Sequence, residues 1–386
     1  MHVVHVITGL GLGGAETALL RLIQQSSPAG FRHTVISLSG RGDLASSVEA
    51  AGGTVLTPRS NSWRSFILAL LKAPACLRGL APDVIQGWMV HGNAAAWALR
   101  TFRFRRAGLA WNLRMILSNV AYEKPRILWM TRAIARLSRA VDLLIANSEA
   151  SLRDHFDIGY RPRLAAVIPN GFDTRLFAPD EQSRRQTRAA WGLPNDAVAF
   201  GLVGRYHLTK GHEAFIRAAA KVRKHHPQVM FVFAGRGTDT NEGLNALLAR
   251  EGLRSAFILL GMQSDIPSVM RSLDVVCVPS EYESFPNVLG EAMASARPCI
   301  ATNVADVAAI MGDAGRVIAV ADVEGLAAAM IEMVEMGPKG RAALGEAGRR
   351  RVLANYTLEH STARYMHHYS ELAPDRRRHL STAEPA

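Results

Sequence analysis

Asp274-Val-Val-Cys-Val-Pro-Ser-Glu-Tyr-Glu-Ser-Phe-Pro-Asn-Val-Leu-Gly-Glu-Ala-Met-Ala294 is the stretch from which the rest of the chain can be read. Asp274 to Pro279 is a short apolar run rich in β-branched side chains, the mark of a parallel strand buried on both faces. From Asn287 to Ala296 the pattern becomes that of a helix, with Pro286 near its first position, where a missing N–H costs nothing. Glu283 falls on the loop between them and Glu291 on the first turns of the helix. Two carboxylates so placed can face one ligand from two sides, beside helix-start amides that attract anions.

The same alternation extends in both directions. Upstream, Val198 to Val203, Val229 to Ala234 and Ala256 to Leu260 read as strands, and Glu213 to Lys224, Glu242 to Arg250 and Ile266 to Ser272 as helices. Downstream come a strand from Arg316 to Val320 and helices Val323 to Met336, Arg341 to Ala354 and Leu358 to Leu372. Alternation of this kind predicts parallel sheets covered on both faces, with ligands beyond the carboxyl ends of the strands. Phe215, Ile216, Ala219 and Val222 share one helix face and are core positions.

The first half follows the same plan. A strand from His2 to Thr8 leads into Gly9-Leu-Gly-Leu-Gly-Gly14, a helix from Ala15 to Gln24 and a strand from His33 to Leu38. Asp83 to Asn93 reads as a strand ending in a polar loop that holds His91, and Trp111-Asn-Leu-Arg114 as another strand end. Val141 to Ala146 is a strand, and Ser148 caps the helix that follows. A Pro, Gly turn within Ala166 to Asp173 closes this half, and polar Asp180 to Arg188 reads as the link to the second.

Gly9, Gly11 and Gly14 fit the dinucleotide fingerprint of an oxidoreductase, but Ser39 stands where that fold needs an acidic ribose-binding residue. Two glutamates eight residues apart are, by spacing alone, most often solvated charges. In context, the stretch from Ser280 through Arg297-Pro-Cys-Ile-Ala301 resembles the E-x7-E region of the retaining glycosyltransferase family of GT-B fold, which includes sucrose and glycogen synthases and many bacterial polysaccharide enzymes. Gly13-Gly-Ala-Glu-Thr17, Asn147-Ser148, Pro169-Asn-Gly-Phe-Asp173, Gly204-Arg205 and Lys210-Gly211 resemble other landmarks of that family in the same order.

The resemblance implies an α/β chain of two Rossmann-like domains whose parallel sheets face across a cleft. Residues 1–176 would form the acceptor side, with the helix at 357–373 packed back on it; 177–356 would bind the nucleotide sugar, and 374–386 would be a disordered tail. The implied reaction moves a sugar, with retention, from a UDP- or GDP-linked donor to a saccharide or lipid-linked acceptor in surface polysaccharide synthesis. Glu291 would hold the ribose; Glu283 and the amides of Ser284, Phe285 and Asn287 would hold the sugar and distal phosphate. Ser284 stands where Gly is common in the family. The loop at Gly14, lacking Cβ atoms, would approach the donor phosphate or the acceptor.

Arg205 and Lys210 would neutralise the leaving diphosphate. The chain has no Asp-x-Asp, the usual acidic motif for a metal beside a diphosphate, so no metal and no cofactor are expected. A lone His after a strand is most often structural; the words around His91 imply that it lines the donor-sugar or acceptor site, as a candidate catalytic residue with Glu283. Arg114 is the candidate for an acceptor phosphate. Paired carboxylates alone would also suit hydrolysis, and an epimerase of the same shape would act on the sugar nucleotide with no acceptor.

A 386-residue chain with 48% hydrophobic content has room for two cores. Cys76, Cys277 and Cys299 form no Cys-x-x-Cys and read as core residues of a reducing compartment. No leader pattern or long apolar run appears, which predicts a cytoplasmic protein. The net charge of +12 is concentrated in the first half: 14 Lys/Arg against two acids lie between Arg59 and Arg139. Arg100 to Arg106, and Lys124 to Arg139 with Ile127, Leu128, Met130, Ile134 and Leu137 interleaved, predict contact with an anionic membrane surface. Zinc-ligand spacing, helix-turn-helix and ribonucleoprotein patterns are missing, so nucleic acid is not expected as a partner.

Overall fold

The computed structural model describes residues 1–57, 77–117 and 125–373. Cys76, Arg59, Arg64, Lys72, Lys124 and the tail at 374–386 lie outside them. The chain divides into two compact units: Met1–Gly171 with Leu358–Ala386, and Phe172–Thr357.

The first unit is built on seven parallel strands: β1 (His2–Ile7), β2 (Arg32–Ser37), β3 (Thr54–Leu56), β4 (Val84–Trp88), β5 (Gly108–Leu113), β6 (Leu143–Ala146) and β7 (Leu164–Val167). Their order is β3-β2-β1-β4-β5-β6-β7, so the winding reverses between β1 and β4. In register, Val3 pairs with His33 on one side and Val84 on the other. Val3, Val4 and Val6 are fully buried, as a central strand covered on both faces requires.

A polar chain runs through this core, and its direction is fixed by donors that cannot accept. Trp88 Nε1–H donates to His5 Nδ1 at 3.2 Å, so His5 carries its proton on Nε2 and donates to His33 Nδ1 at 3.0 Å. His33 Nε2–H then donates to Ser26 Oγ at 2.8 Å, and Ser26 donates to Leu22 O. Every member is satisfied only while both imidazoles are neutral. The helix Leu358–Leu372 belongs to this unit and is tied to the sheet by Tyr369, which donates to Gln86 Oε1 at 2.6 Å, and by Tyr365, which accepts from Asn112 at 2.7 Å.

The second unit holds β8 (Ala199–Val203), β9 (Met230–Ala234), β10 (Phe257–Leu259), β11 (Val275–Val278), β12 (Cys299–Thr302) and β13 (Gly315–Ile318), all parallel, in the order β10-β9-β8-β11-β12-β13. The α/β architecture of two parallel sheets is thus the expected one. Helix starts are set by side chains: Asn241, Asp265 and Asp322 accept from the amides of Leu244, Ser268 and Gly325. Phe215, Ile216, Ala219 and Val222 are fully buried on one face of helix His212–His225. Cys277 and Cys299 are free and buried, and burial pushes both thiols up.

The structure departs from the sequence reading in four places. His91 is not on a polar loop: helix Met89–Phe102 begins directly after β4, because Met89 takes φ +61° and turns the chain in one residue. Gly92 lets that helix lie against β1, since a Cβ there would meet Val6 O at 2.2 Å. Asp180 to Arg188 is not a link but most of helix Glu181–Ala190, capped by Asp180 and anchored by a wholly buried Arg188. Ile127, Met130 and Leu137 pack on the first unit's core and Ile134 is inside it, so the apolar side of helix Pro125–Ile134 faces inward. The edge strands β3 and β7, the inner strand β12 and the short helices Ala45–Ala50 and Val307–Met311 are additional to those expected.

Candidate functional site

In the second sheet the winding reverses between β8 and β11, and a pocket of about 290 Å³ opens at their carboxyl ends. Arg205 follows β8, Ser280 and Glu283 follow β11, Asn287 starts the next helix, and Lys210 comes from the turn before helix His212–His225. Lys210 Nζ donates to Glu283 Oε1 at 2.6 Å, and Ser280 Oγ donates to the same oxygen at 2.9 Å. Both partners of the ion pair are largely buried, at 29% and 14% side-chain exposure, so its geometry is held better than that of a surface pair.

Backbone contacts fix these loops. Glu281 N donates to Thr209 O at 2.8 Å, joining the loop that carries Glu283 to the turn that carries Lys210. Gly211 has φ +73°, and a Cβ there would meet Pro279 O at 2.1 Å, so only glycine allows this approach. Thr302 Oγ1 donates to Ser280 O, bracing the same loop from β12. Helix Asn287–Ala294 sits on Phe172, where a Cβ at Gly290 would meet the ring at 2.0 Å. Phe285 is buried and stacks on Phe172, with centroids 6.2 Å apart; its side chain shapes the pocket wall from the core.

Of the residues singled out from sequence, the structure brings Arg205, Lys210, Glu283, Phe285 and Asn287 to one pocket. Arg205 is exposed. Ser284 lies between Glu283 and Phe285 on the same loop, and Glu291 one turn into the helix that begins at Asn287. Pro286 is the cap residue itself, one place before the helix. Ser280 and Thr302, which position Glu283 and its loop, were missed; the only signal was a hydroxyl at each strand end. His212, beside Lys210, is neutral: burial and the Lys210 charge lower its pKa to about 4.

Gly14, His91 and Arg114 belong to the first unit, near the carboxyl ends of its strands. Gly14 is exposed at the start of helix Gly14–Ser26 after β1. His91 is half-buried in the first turn of its helix after β4, and burial lowers its pKa. These two flank the reversal between β1 and β4. Arg114 follows β5, donates to Asn170 Oδ1 and lies over the Trp88 ring at 5.6 Å. Burial lowers its pKa, and the Tyr365 hydroxyl opposes that shift.

Comparison with known proteins adds chemistry to this geometry. Residues 12–176 match the family described as Glycosyltransferase Family 4, and residues 197–336 match the one described as Glycosyl transferases group 1. The chain is a glycosyltransferase of GT-B type. EpsF of Bacillus subtilis (strain 168), named as a glycosyltransferase, is 26% identical to this transferase over 326 residues, covering 78% of each chain. A UDP-Gal:alpha-D-GlcNAc-diphosphoundecaprenol alpha-1,3-galactosyltransferase of Escherichia coli is 31% identical over 145 residues, 37% of this chain and 38% of that one. In fold, the transferase is similar to Anabaena HepE crystallised with UDP and glucose, with a TM-score of 0.81 at 21% identity over 95% of this chain and 99% of that one.

Proposed function

We propose that the chain transfers a sugar from a UDP- or GDP-linked donor, with retention at the anomeric carbon, to a saccharide or lipid-linked acceptor in surface polysaccharide synthesis. The observation that carries this reading is the juxtaposition of Lys210, Glu283 and Arg205 in one pocket at the switch point of the second sheet. Arg205 and Lys210 take the charge that grows on the departing diphosphate, which needs preorganised cations rather than a side-chain base. Glu283, aimed by Ser280, orients the sugar and stabilises positive character at its anomeric carbon. Glu291 holds the ribose. The acceptor hydroxyl gives its proton to the leaving phosphate oxygen on the same face, and His91 and Arg114 serve the acceptor side.

Two similar proteins support the choice of substrates: HepE was crystallised with UDP and glucose, and the Escherichia coli relative is named for a UDP-galactose donor and a diphosphoundecaprenol acceptor. The lipid-linked acceptor agrees with an anionic membrane partner for the basic first half. Among the described residues no helix is long and apolar enough to cross a membrane. Contact is instead made by the outer face of helix Pro125–Ile134 and the turn after it, where Arg126, Arg132 and Arg136 are exposed around Trp129.

The test is product analysis by NMR after turnover with UDP- and GDP-hexoses and a lipid-linked saccharide. Retention requires the same anomeric configuration in donor and product; inversion, or epimerised donor with no acceptor product, refutes the assignment. Transfer that persists with excess chelator agrees with diphosphate neutralisation by Arg205 and Lys210, and a strict need for Mg²⁺ or Mn²⁺ contradicts it.

A further inference from the structure

A second pocket, of about 320 Å³, lies at the opposite end of β11 from the first: Asp274, which precedes that strand, lines one, and Ser280, which follows it, lines the other. Arg184, Arg297 and Arg341 line it with Asp274, along the first turns of helices Glu181–Ala190 and Gly337–Asn355. Asp274 is already saturated. Its Oδ1 accepts from Arg184 at 2.7 Å, and its Oδ2 accepts from Arg188 at 3.1 Å and from the Ala199 amide at 2.8 Å. Arg188 spends its other donors on the carbonyls of Pro194, Ala197 and Ser272.

Two guanidinium groups in the pocket are left with unused donors. Arg297 places Nε on Ser295 O and Nη1 on Leu273 O, and its Nη2 has no partner among the described residues. Arg341 is nine-tenths buried yet places only Nη1, on Met333 O and Val334 O, leaving Nε and Nη2 unpartnered among the described residues. Burial and the charge of Arg184 lower the pKa of both groups, and the Asp274 carboxylate opposes that shift. The remaining carboxylates are at the rim: Glu181 comes no nearer than 4.0 Å to Arg184, and Glu346 is exposed. The inner part of the pocket therefore sets Arg184, Arg297 and Arg341 against Asp274, with Glu181 and Glu346 at the rim.

We propose that this pocket is a binding site for the phosphate group of a small molecule, held by the unused N–H groups of Arg297 and Arg341. The site is separate from the transfer pocket and does not depend on how that pocket is read. A phosphate can come free or on a small ester, and the test distinguishes the two sources. Calorimetric titration of the full chain is made with inorganic phosphate and with glucose 6-phosphate at constant ionic strength. Binding of inorganic phosphate as tight as that of the ester identifies the free ion; tighter binding of the ester identifies a phosphorylated small molecule.

Arg297→Gln should weaken binding by about tenfold, the loss of a charge-assisted hydrogen bond. Ala342→Glu, at an exposed position in the pocket wall, should weaken it as much without touching an arginine. Glu346→Gln should tighten it by about twofold, since a like charge leaves the rim. Arg205→Ala, in the transfer pocket, should leave it unchanged. No heat with either probe, or a loss that follows Arg205→Ala while Arg297→Gln, Ala342→Glu and Glu346→Gln bind as wild type, would overturn the site and leave these arginines a purely structural role.

Discussion

Lys210 and Glu283, 73 residues apart in sequence, are joined through Nζ and Oε1 at 2.6 Å, and Ser280 donates to the same carboxylate oxygen. The pair places a cation and an anion on one side of a pocket at the carboxyl ends of β8 and β11. A donor whose sugar develops positive charge while its diphosphate develops negative charge needs both signs at that spacing.

Glu283→Gln keeps the shape and one acceptor oxygen but removes the charge. Turnover should fall by about a hundredfold, the scale of losing one electrostatic contact to a transition state, while nucleotide affinity stays within about threefold. Steady-state kinetics alongside nucleotide titration separates the two; equal losses would assign Glu283 to ground-state binding alone.

Gly290→Ala puts a methyl group into the Phe172 ring. Overpacking should cost about 1–3 kcal/mol locally. Hydrogen exchange of the amides in helix Asn287–Ala294 should speed up accordingly, with weaker nucleotide binding because Glu291 rides on that helix. Unchanged exchange would mean the helix shifts freely on Phe172.

Acid should destabilise the fold through its buried imidazoles. His33, His155 and His212 are held down to about 4 by burial, and His5 lower than its ordinary value, against 6.5 for an exposed ring. The unfolded chain binds more protons between those values, so stability is full above pH ~6.5 and falls as pH drops toward ~4, by up to about 3 kcal/mol per group. Denaturant titrations from pH 7 to 4 check the sign. His155→Gln should flatten the slope, and an unchanged slope would show that its ring is not the titrating group.

Trp129 is 73% exposed among Arg126, Arg132 and Arg136. Binding to vesicles containing phosphatidylglycerol should weaken by about tenfold in Trp129→Ala and further in Arg132→Glu, and should fall with salt. Binding that ignores both substitutions would place membrane contact elsewhere, and no binding at low salt would remove it.

Most of the second sheet was legible because its signals are local. Helices Glu242–Arg250 and Ile266–Ser272 begin and end where their patterns do, behind Asn241 and Asp265 caps. Met89 shows the opposite case: a methionine at positive φ has no sequence signature, and only Gly87 and Gly92, which permit close backbone packing, hinted at an abrupt strand-to-helix turn. Arg188 misled for a different reason. Arginine in a polar run reads as exposed, yet the carbonyls of Pro194 and Ala197 and the carboxylate of Asp274 make a buried socket that exists only after folding. The pocket's residues were legible by resemblance one at a time, but the Lys210–Glu283 contact and the Ser280 and Thr302 supports are tertiary.

That the pocket beside Glu283 holds the nucleotide of a sugar donor is tested most directly by calorimetric titration of UDP and GDP, with their hexose derivatives, into the wild type and Glu291→Ala. Tight binding of one base series, lost by about tenfold or more in Glu291→Ala as expected for a charge-assisted contact to ribose, is the predicted result. Binding of none, or binding that Glu291→Ala leaves intact, would contradict it.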